Sequence, residues 1–249
     1  MKRLIKLLLP LFILKRIRSV RHRIAVAKNA KRSPRSVFQE IYGKGQWGSK
    51  PGEFFSGDGS ADNQYAEEYI TMMIDFLKTR KESPSVVDLG CGDLNISRHL
   101  FPYCSSYTGV DVVPELIEKH SSGGYGDHIQ FMILDITEDE LPDGDVCLVR
   151  QVFQHLSNEQ IRKCLEKLGK YRFCFITEHS PSDNSKIVPN KDMVHGSWVR
   201  VYENSGVYLD RPPFNIPPEK LQLVLATPGV GMMEGYDKGV IRTFRISNG

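Results

Sequence analysis

Ser85-Val-Val-Asp-Leu-Gly-Cys-Gly-Asp-Leu-Asn-Ile96 is the stretch on which the fold turns. Ser85 to Leu89 is short, β-branched and apolar, the composition of a buried strand. Gly90 and Gly92 follow at once and permit a tight turn with close backbone approach. The spacing after the turn predicts a helix over Asn95 to Phe101. Strand, glycine turn and helix N-terminus make a nucleotide-binding corner, because free N–H groups and the positive end of the helix dipole face the ligand. Asp111 ends the next strand, Tyr107-Thr-Gly-Val-Asp111. It lies about 20 residues on, where a carboxylate can hold both ribose hydroxyls.

The dinucleotide fingerprint G-x-G-x-x-G fails, because Asn95 stands in the third glycine place. Asp88-Leu-Gly-Cys-Gly92 instead resembles motif I of class I S-adenosylmethionine (AdoMet) methyltransferases. Asp88 matches the acidic residue two places before the first glycine. Leu94 departs from the pattern, since the family often has a further glycine there. Ile41-Tyr42, Trp47-Gly48 and Ser56-Gly-Asp-Gly-Ser60 precede the motif, and Arg211-Pro-Pro-Phe-Asn215 follows it. Together they resemble the methyltransferases of bacterial polysaccharide and glycan-modification clusters.

The resemblance implies a Rossmann-like α/β sheet of seven strands in the order 3-2-1-4-5-7-6, flanked by helices, with AdoMet as cofactor. It implies a cofactor-binding set of Asp88, Gly90, Cys91, Gly92, Asp111, Val112, Asp135, Ile136 and Gln151. In that set the glycine corner holds the methionyl part, Asp111 the ribose, and Asp135 the adenine amino group. The loops around Trp47 and Ser56–Ser60 are expected to close over cofactor or acceptor. On the other reading Trp47 anchors the core and the glycines only make turns.

The sequence divides into a basic amphipathic arm (1–35), a helical lid segment (36–84) and the methyltransferase domain (85–249). In the lid segment Phe38, Ile41 and Tyr42 share one side of a short helix. Tyr65, Tyr69, Met72, Met73, Phe76 and Leu77 give a second, amphipathic helix, with Ser60 or Asp62 as its N-cap. Beyond Asp111 the pattern predicts a helix at Pro114–His120 and strands at His128–Asp135, Asp145–Arg150 and Tyr171–Thr177. A helix capped by Ser157 follows the fourth strand, and Leu221–Ala226 and Val240–Ile246 supply the last two strands. Residues 180–220 are too many for a plain connection. Trp198–Tyr202 and Gly206–Asp210 read as a hairpin there. This insertion, with His195, Trp198, Arg200, Tyr208, Asp210, Arg211 and Asn215, is expected to recognise a sugar or anionic acceptor.

Transfer to an alcohol needs a base, and histidine is poised near neutral pH. His155, after the fourth strand, and His179, at the end of the fifth, are the candidates, with Glu178 behind them. Arg150 and Arg211 are alternatives for holding an acceptor phosphate or carboxylate. Glu178 beside His179 does not make a metal site, and no metal is expected.

Charge is uneven. Of 33 basic residues, residues 1–35 hold twelve and no Asp or Glu, leaving 21 basic against 30 acidic in the body. Leu7–Leu14 is apolar but short of the ~18 residues a spanning helix needs. Pro10 weakens any single helix through it. A wedge flanked by cations suits the surface of an anionic membrane. An Arg-rich transit peptide to the mitochondrion and a solvated or partner-binding arm are the other readings. Nucleic acid is not expected, because the body is acidic. Five cysteines without a C-x-x-C pair indicate neither a disulfide framework nor zinc, and suit a reducing compartment.

The expected function is an AdoMet-dependent O-methyltransferase acting on a sugar, glycan or activated glycan precursor. The expected location is the cytoplasm, peripheral on the inner face of the membrane. The alternatives are a methyltransferase for a quinone-like small molecule, a non-catalytic AdoMet-binding scaffold subunit, and an NAD-dependent enzyme. The sequence leaves the oligomeric state open.

Overall fold

The computed structural model describes residues 10–48, 53–60, 64–182, 186–230 and 236–248. The strands are β1 (Ser85–Leu89), β2 (Ser106–Asp111), β3 (Ile129–Ile133), β4 (Val146–Arg150), β5 (Phe173–Ser180), β6 (Leu221–Pro228) and β7 (Val240–Ser247). They form one sheet in the order β3-β2-β1-β4-β5-β7-β6. The first five run parallel, and β7 enters antiparallel between β5 and β6. The helices are α1 (Leu11–Asn29), α2 (Pro34–Gly43), α3 (Gln64–Lys78), α4 (Pro114–Ser121) and α5 (Asn158–Lys167).

Strand alternation sorts the core into two layers. Val86, Leu148 and Phe175 face Ala66, Tyr69, Met73 and Leu77 of α3. Val87, Val149, Cys174 and Ile176 face the opposite layer, with Ile161 and Cys164 of α5. Helix α5 starts on a full capping box, in which Ser157 and Gln160 satisfy each other's backbone N–H.

Two expectations are corrected. The segment after the glycine turn is a 3₁₀ run, Ser97–Tyr103, with Pro102 inside it. Proline lacks the N–H and crowds the preceding turn, so an α-helix does not propagate there. No helix dipole therefore points at the corner. The hairpin over 198–210 is absent, and Arg200–Glu203 forms a 3₁₀ turn instead. Arg200 is only 1% exposed. Its guanidinium donates to the Leu156 carbonyl at 2.7 Å and the Lys191 carbonyl at 2.5 Å. A buried fork of donors thus does the work of a strand ladder. Pro10 stands just before α1 with non-helical backbone angles, and the helix runs 19 residues from Leu11. Asp62, Leu7–Leu9 and the side chain of Tyr65 lie outside the described residues.

Helix α1 lies against the insertion. His22 stacks on Trp198 with ring centroids 4.4 Å apart, and the Asn29 amide donates to the His195 carbonyl at 3.2 Å. Among the described residues no helix is long and apolar enough to cross a membrane.

Candidate active site

The sheet order reverses between β1 and β4, and beyond the C-terminal strand ends there the chain leaves a cavity, as doubly wound sheets do. It encloses about 980 Å³ including its open mouth, within the ~300–1,000 Å³ range of small-molecule sites. Gly90 and Gly92 form its floor. Both have positive φ, +78° and +55°. A Cβ on Gly90 would stand 2.5 Å from Val152 Cγ2, and one on Gly92 2.5 Å from Ser56 Oγ. Only glycine fits either place. Leu94, where the resembling family often has glycine, also has positive φ, +61°. It bears that conformation because its side chain is buried.

Four carboxylates line the cavity, those of Asp88, Asp93, Asp111 and Asp135. Asp111 accepts from the backbone N–H groups of Gly92 at 3.2 Å and Val113 at 3.1 Å. It is fixed at the glycine turn, and burial pushes its pKa up to about 6. Asp88 accepts from the Ser97 hydroxyl, and from the Tyr107 hydroxyl at 2.7 Å. Burial raises its pKa too. Asp135 accepts from the backbone N–H and hydroxyl of Thr137 at 2.9 and 2.7 Å, both on one oxygen. Cys91, Val112 and Ile136 also line this cavity.

The turn's own N–H groups are largely taken. That of Asp93 donates to Ser56 Oγ at 2.9 Å, and that of Asn95 to Asp93 Oδ1 at 3.2 Å. Asp93 in return accepts from the Ser56 backbone and the Ser60 hydroxyl, each at 2.8 Å. The Ser56–Ser60 loop is thereby latched to the corner, and Arg150 adds a bond from Nη2 to the Gly59 carbonyl at 2.8 Å. Sequence reasoning passed over Asp93. Its only signal is adjacency to Gly92, since the partners lie 33 to 37 residues away.

An aromatic group also lines the cavity. Trp47 lies 5.2 Å from the His155 ring and 6.2 Å from Phe38, and all three line the cavity. His155 Nδ1 donates to the Gly196 carbonyl at 3.0 Å. In the neutral ring that leaves the lone pair on Nε2. Burial lowers the His155 pKa to about 4, so the ring is neutral at neutral pH.

Two further groups are unpaired. Arg150 Nε and Gln151 Nε2 are buried donors without hydrogen-bond partners among the described residues, and both side chains line the cavity. Gln151 has positive φ, +57°, held by its N–H bond to the Thr177 carbonyl at 2.7 Å.

His155 and His179 do not share a rim. Neighbours on a strand point to opposite faces, and Glu178 and His179 part accordingly. His179 Nε2 is bonded to the Lys238 carbonyl at 2.6 Å and does not line the cavity. Glu178 turns the other way and accepts the N–H groups of Val152, Phe153 and Gln154 at 3.1, 2.8 and 2.9 Å. It holds the loop that carries His155, and burial raises its pKa to about 8. The insertion is corrected as well, since none of its described residues lines the cavity. Arg211 is exposed and beside Asp210 at 3.5 Å, Asn215 is exposed, and Arg200 is spent on carbonyls. Among the described residues the insertion meets the site through the Gly196 and Trp198 backbone, which His155 engages. Among the described residues no cluster of three potential metal ligands occurs.

Residues 87–171 match the family model described as a methyltransferase domain. A curated relative is an uncharacterised methyltransferase of Schizosaccharomyces pombe, 34% identical over 56 residues, which cover 22% of this chain and 19% of that protein. Among solved structures, the N-methyltransferase NodS of Bradyrhizobium japonicum, in complex with S-adenosylhomocysteine, is similar with TM-score 0.50 and 17% identity, covering 77% of this chain and 93% of that one. The 1,6-didemethyltoxoflavin-N1-methyltransferase of Burkholderia thailandensis is similar with TM-score 0.54 and 14% identity, covering 86% and 87%.

Proposed function

We propose that this chain, whose residues 87–171 match a methyltransferase-domain model, is a class I AdoMet-dependent methyltransferase that methylates a hydroxyl of a small sugar or activated glycan precursor. The observation that carries the reading is the mixed lining of one cavity. Carboxylate acceptors, the unpaired donors of Arg150 and Gln151, and a neutral histidine among aromatic rings share it.

AdoMet fits that arrangement. Asp111 would hold the ribose hydroxyls, Asp135 with Val112 and Ile136 the adenine, and the glycine corner with Asp88 and Cys91 the methionyl chain. The unpaired donors of Arg150 and Gln151 suit its carboxylate. AdoMet supplies a methyl group on a sulfonium for in-line displacement. The residues' work is then orientation and proton removal. Phe38 and Trp47 offer flat faces to a sugar ring. His155 Nε2 would take the hydroxyl proton while the methyl passes from the sulfonium sulfur, whose bond to it breaks, to the acceptor oxygen, and Gly196 holds the imidazole in the required tautomer. Excluding His179 from the cavity leaves His155 as the base.

The test is transfer of labelled methyl from AdoMet to fractionated cell-envelope sugars and nucleotide sugars. We expect label on a sugar oxygen, lost in His155→Gln while AdoMet still binds by calorimetry. Label on a nitrogen or on a quinone-like phenol would overturn the acceptor, and AdoMet binding without transfer to any extract would favour a scaffold subunit.

The place of action is part of the proposal. Ile17, Val20 and Ile24 are 37%, 50% and 65% exposed and recur at one helical face of α1, in an arm with twelve cations and no acid. That face suits an anionic membrane surface on the cytoplasmic side. Co-sedimentation with phosphatidylglycerol vesicles but not phosphatidylcholine vesicles is the expected result; equal recovery with both would reject it.

A further inference from the structure

We infer that the cleft between α1, α2 and the insertion is a binding site for a phosphate-type oxyanion, separate from the methyl-transfer cavity. The cleft is lined by Arg18, Arg21, Lys28, Arg32, His195 and Trp198, with Glu40 as its one carboxylate.

The charge does not balance within it. Glu40 receives Lys28 at 2.7 Å, Arg32 at 2.6 Å and Lys44 at 2.6 Å. Three cations on one carboxylate hold its pKa down at about 2 and leave a positive excess. Arg21 adds a further cation, for which no carboxylate contact is seen among the described residues.

The donors do not balance either. The indole Nε1 of Trp198 is buried with no hydrogen-bond partner among the described residues. An indole N–H can only donate. His195 is 8% exposed. Its Nδ1 lies 3.3 Å from the Gln160 amide nitrogen, which is a donor. Nδ1 therefore accepts, and the ring proton falls on Nε2, while the Arg32 backbone carbonyl bonds to the ring. The buried indole N–H without an acceptor is costly to leave unmatched. It belongs to a side chain that lines a cationic cleft. A ligand that brings several anionic oxygens satisfies that donor and the charge at once, and phosphate and diphosphate have that chemistry.

The peptide next to His195 belongs to Gly196, whose carbonyl and N–H both bond to His155, each at 3.0 Å. The oxyanion cleft and the transfer cavity thus lie on either side of one backbone segment. The oxyanion can come from a soluble phosphorylated compound or from a lipid headgroup on a membrane beneath α1.

The experiment titrates the full chain with inorganic phosphate and with diphosphate, and separately with phosphatidylglycerol and phosphatidylcholine vesicles. Trp198 fluorescence is read in a Trp47→Phe background, because these are the chain's two tryptophans. We expect saturable change with diphosphate, or with phosphatidylglycerol but not phosphatidylcholine. The first outcome assigns a soluble ligand and the second a headgroup. Arg21→Gln and His195→Gln should each weaken the response at least tenfold. Arg21 is exposed, so its variant keeps the fold. AdoMet calorimetry on Arg21→Gln and His195→Gln made with Trp47 intact should match the unsubstituted chain, which separates failure here from failure of the methyltransferase reading. No response to either phosphate probe or to anionic vesicles, or an undiminished response in both variants, overturns the inference.

Discussion

The two groups of residues that line the transfer cavity are built differently. Asp88, Asp111 and Asp135 stand at or just beyond the C-terminal ends of three adjacent parallel strands, and the sheet register alone brings them together. Phe38, Trp47, His155 and Gly196 come from four separate segments. They meet only because Glu178 fixes the 152–154 backbone and Gly196 fixes the imidazole. The first group is a property of the fold; the second is a tertiary assembly.

That contrast can be broken by substitutions that should act on one group and spare the other. The largest effect is expected from His155→Gln, a fall of about 10²–10⁴-fold in kcat with AdoMet affinity unchanged. Single-turnover transfer together with AdoMet calorimetry measures both. Asp111→Ala should do the reverse. Loss of charge-assisted bonds worth about 1.5–3 kcal/mol weakens AdoMet binding roughly 10- to 150-fold, read by calorimetry. If His155→Gln weakens AdoMet as much as Asp111→Ala does, the two groups are not separable.

Glu178→Gln tests the bracing. A glutamine offers one acceptor oxygen to three N–H groups. One buried N–H then goes unmet, at about 1–3 kcal/mol of stability. Denaturant unfolding should show that loss, and kcat should fall while AdoMet affinity holds. The smallest effect concerns pH. Asp111 titrates near about 6 in the folded chain, so AdoMet affinity should decline below that pH, by up to about tenfold per unit. The folded chain also holds this proton more tightly than the unfolded one. The stability it contributes is full below 3.8 and is lost as pH rises through about 6. His155, at about 4, should give no activity inflection near the usual histidine value. A pH profile of kcat at saturating AdoMet checks this.

The carboxylate group was legible in sequence because it is local. Strand, glycine pair and the carboxylate ending the next strand are written in one run of residues, whereas the sheet order came only with the family that the run resembles. What failed there was the helix, since Pro102 outweighed the spacing of Asn95–Phe101. The aromatic group was half legible. His155 lines the cavity as expected, but His179 does not, because strand alternation sends it to the other face. The insertion misled because Arg200, Trp198 and Tyr202 have strand-like composition. Burial of a guanidinium on two carbonyls has no linear signature, and neither has the Asp93–Ser56 latch.

The most direct test is a structure of the chain with S-adenosylhomocysteine. The account predicts both ribose hydroxyls within about 2.6–3.2 Å of the Asp111 carboxylate, with the sulfur facing Phe38, Trp47 and His155. A ligand seated elsewhere, or a sulfur turned away from the aromatic group, would contradict it.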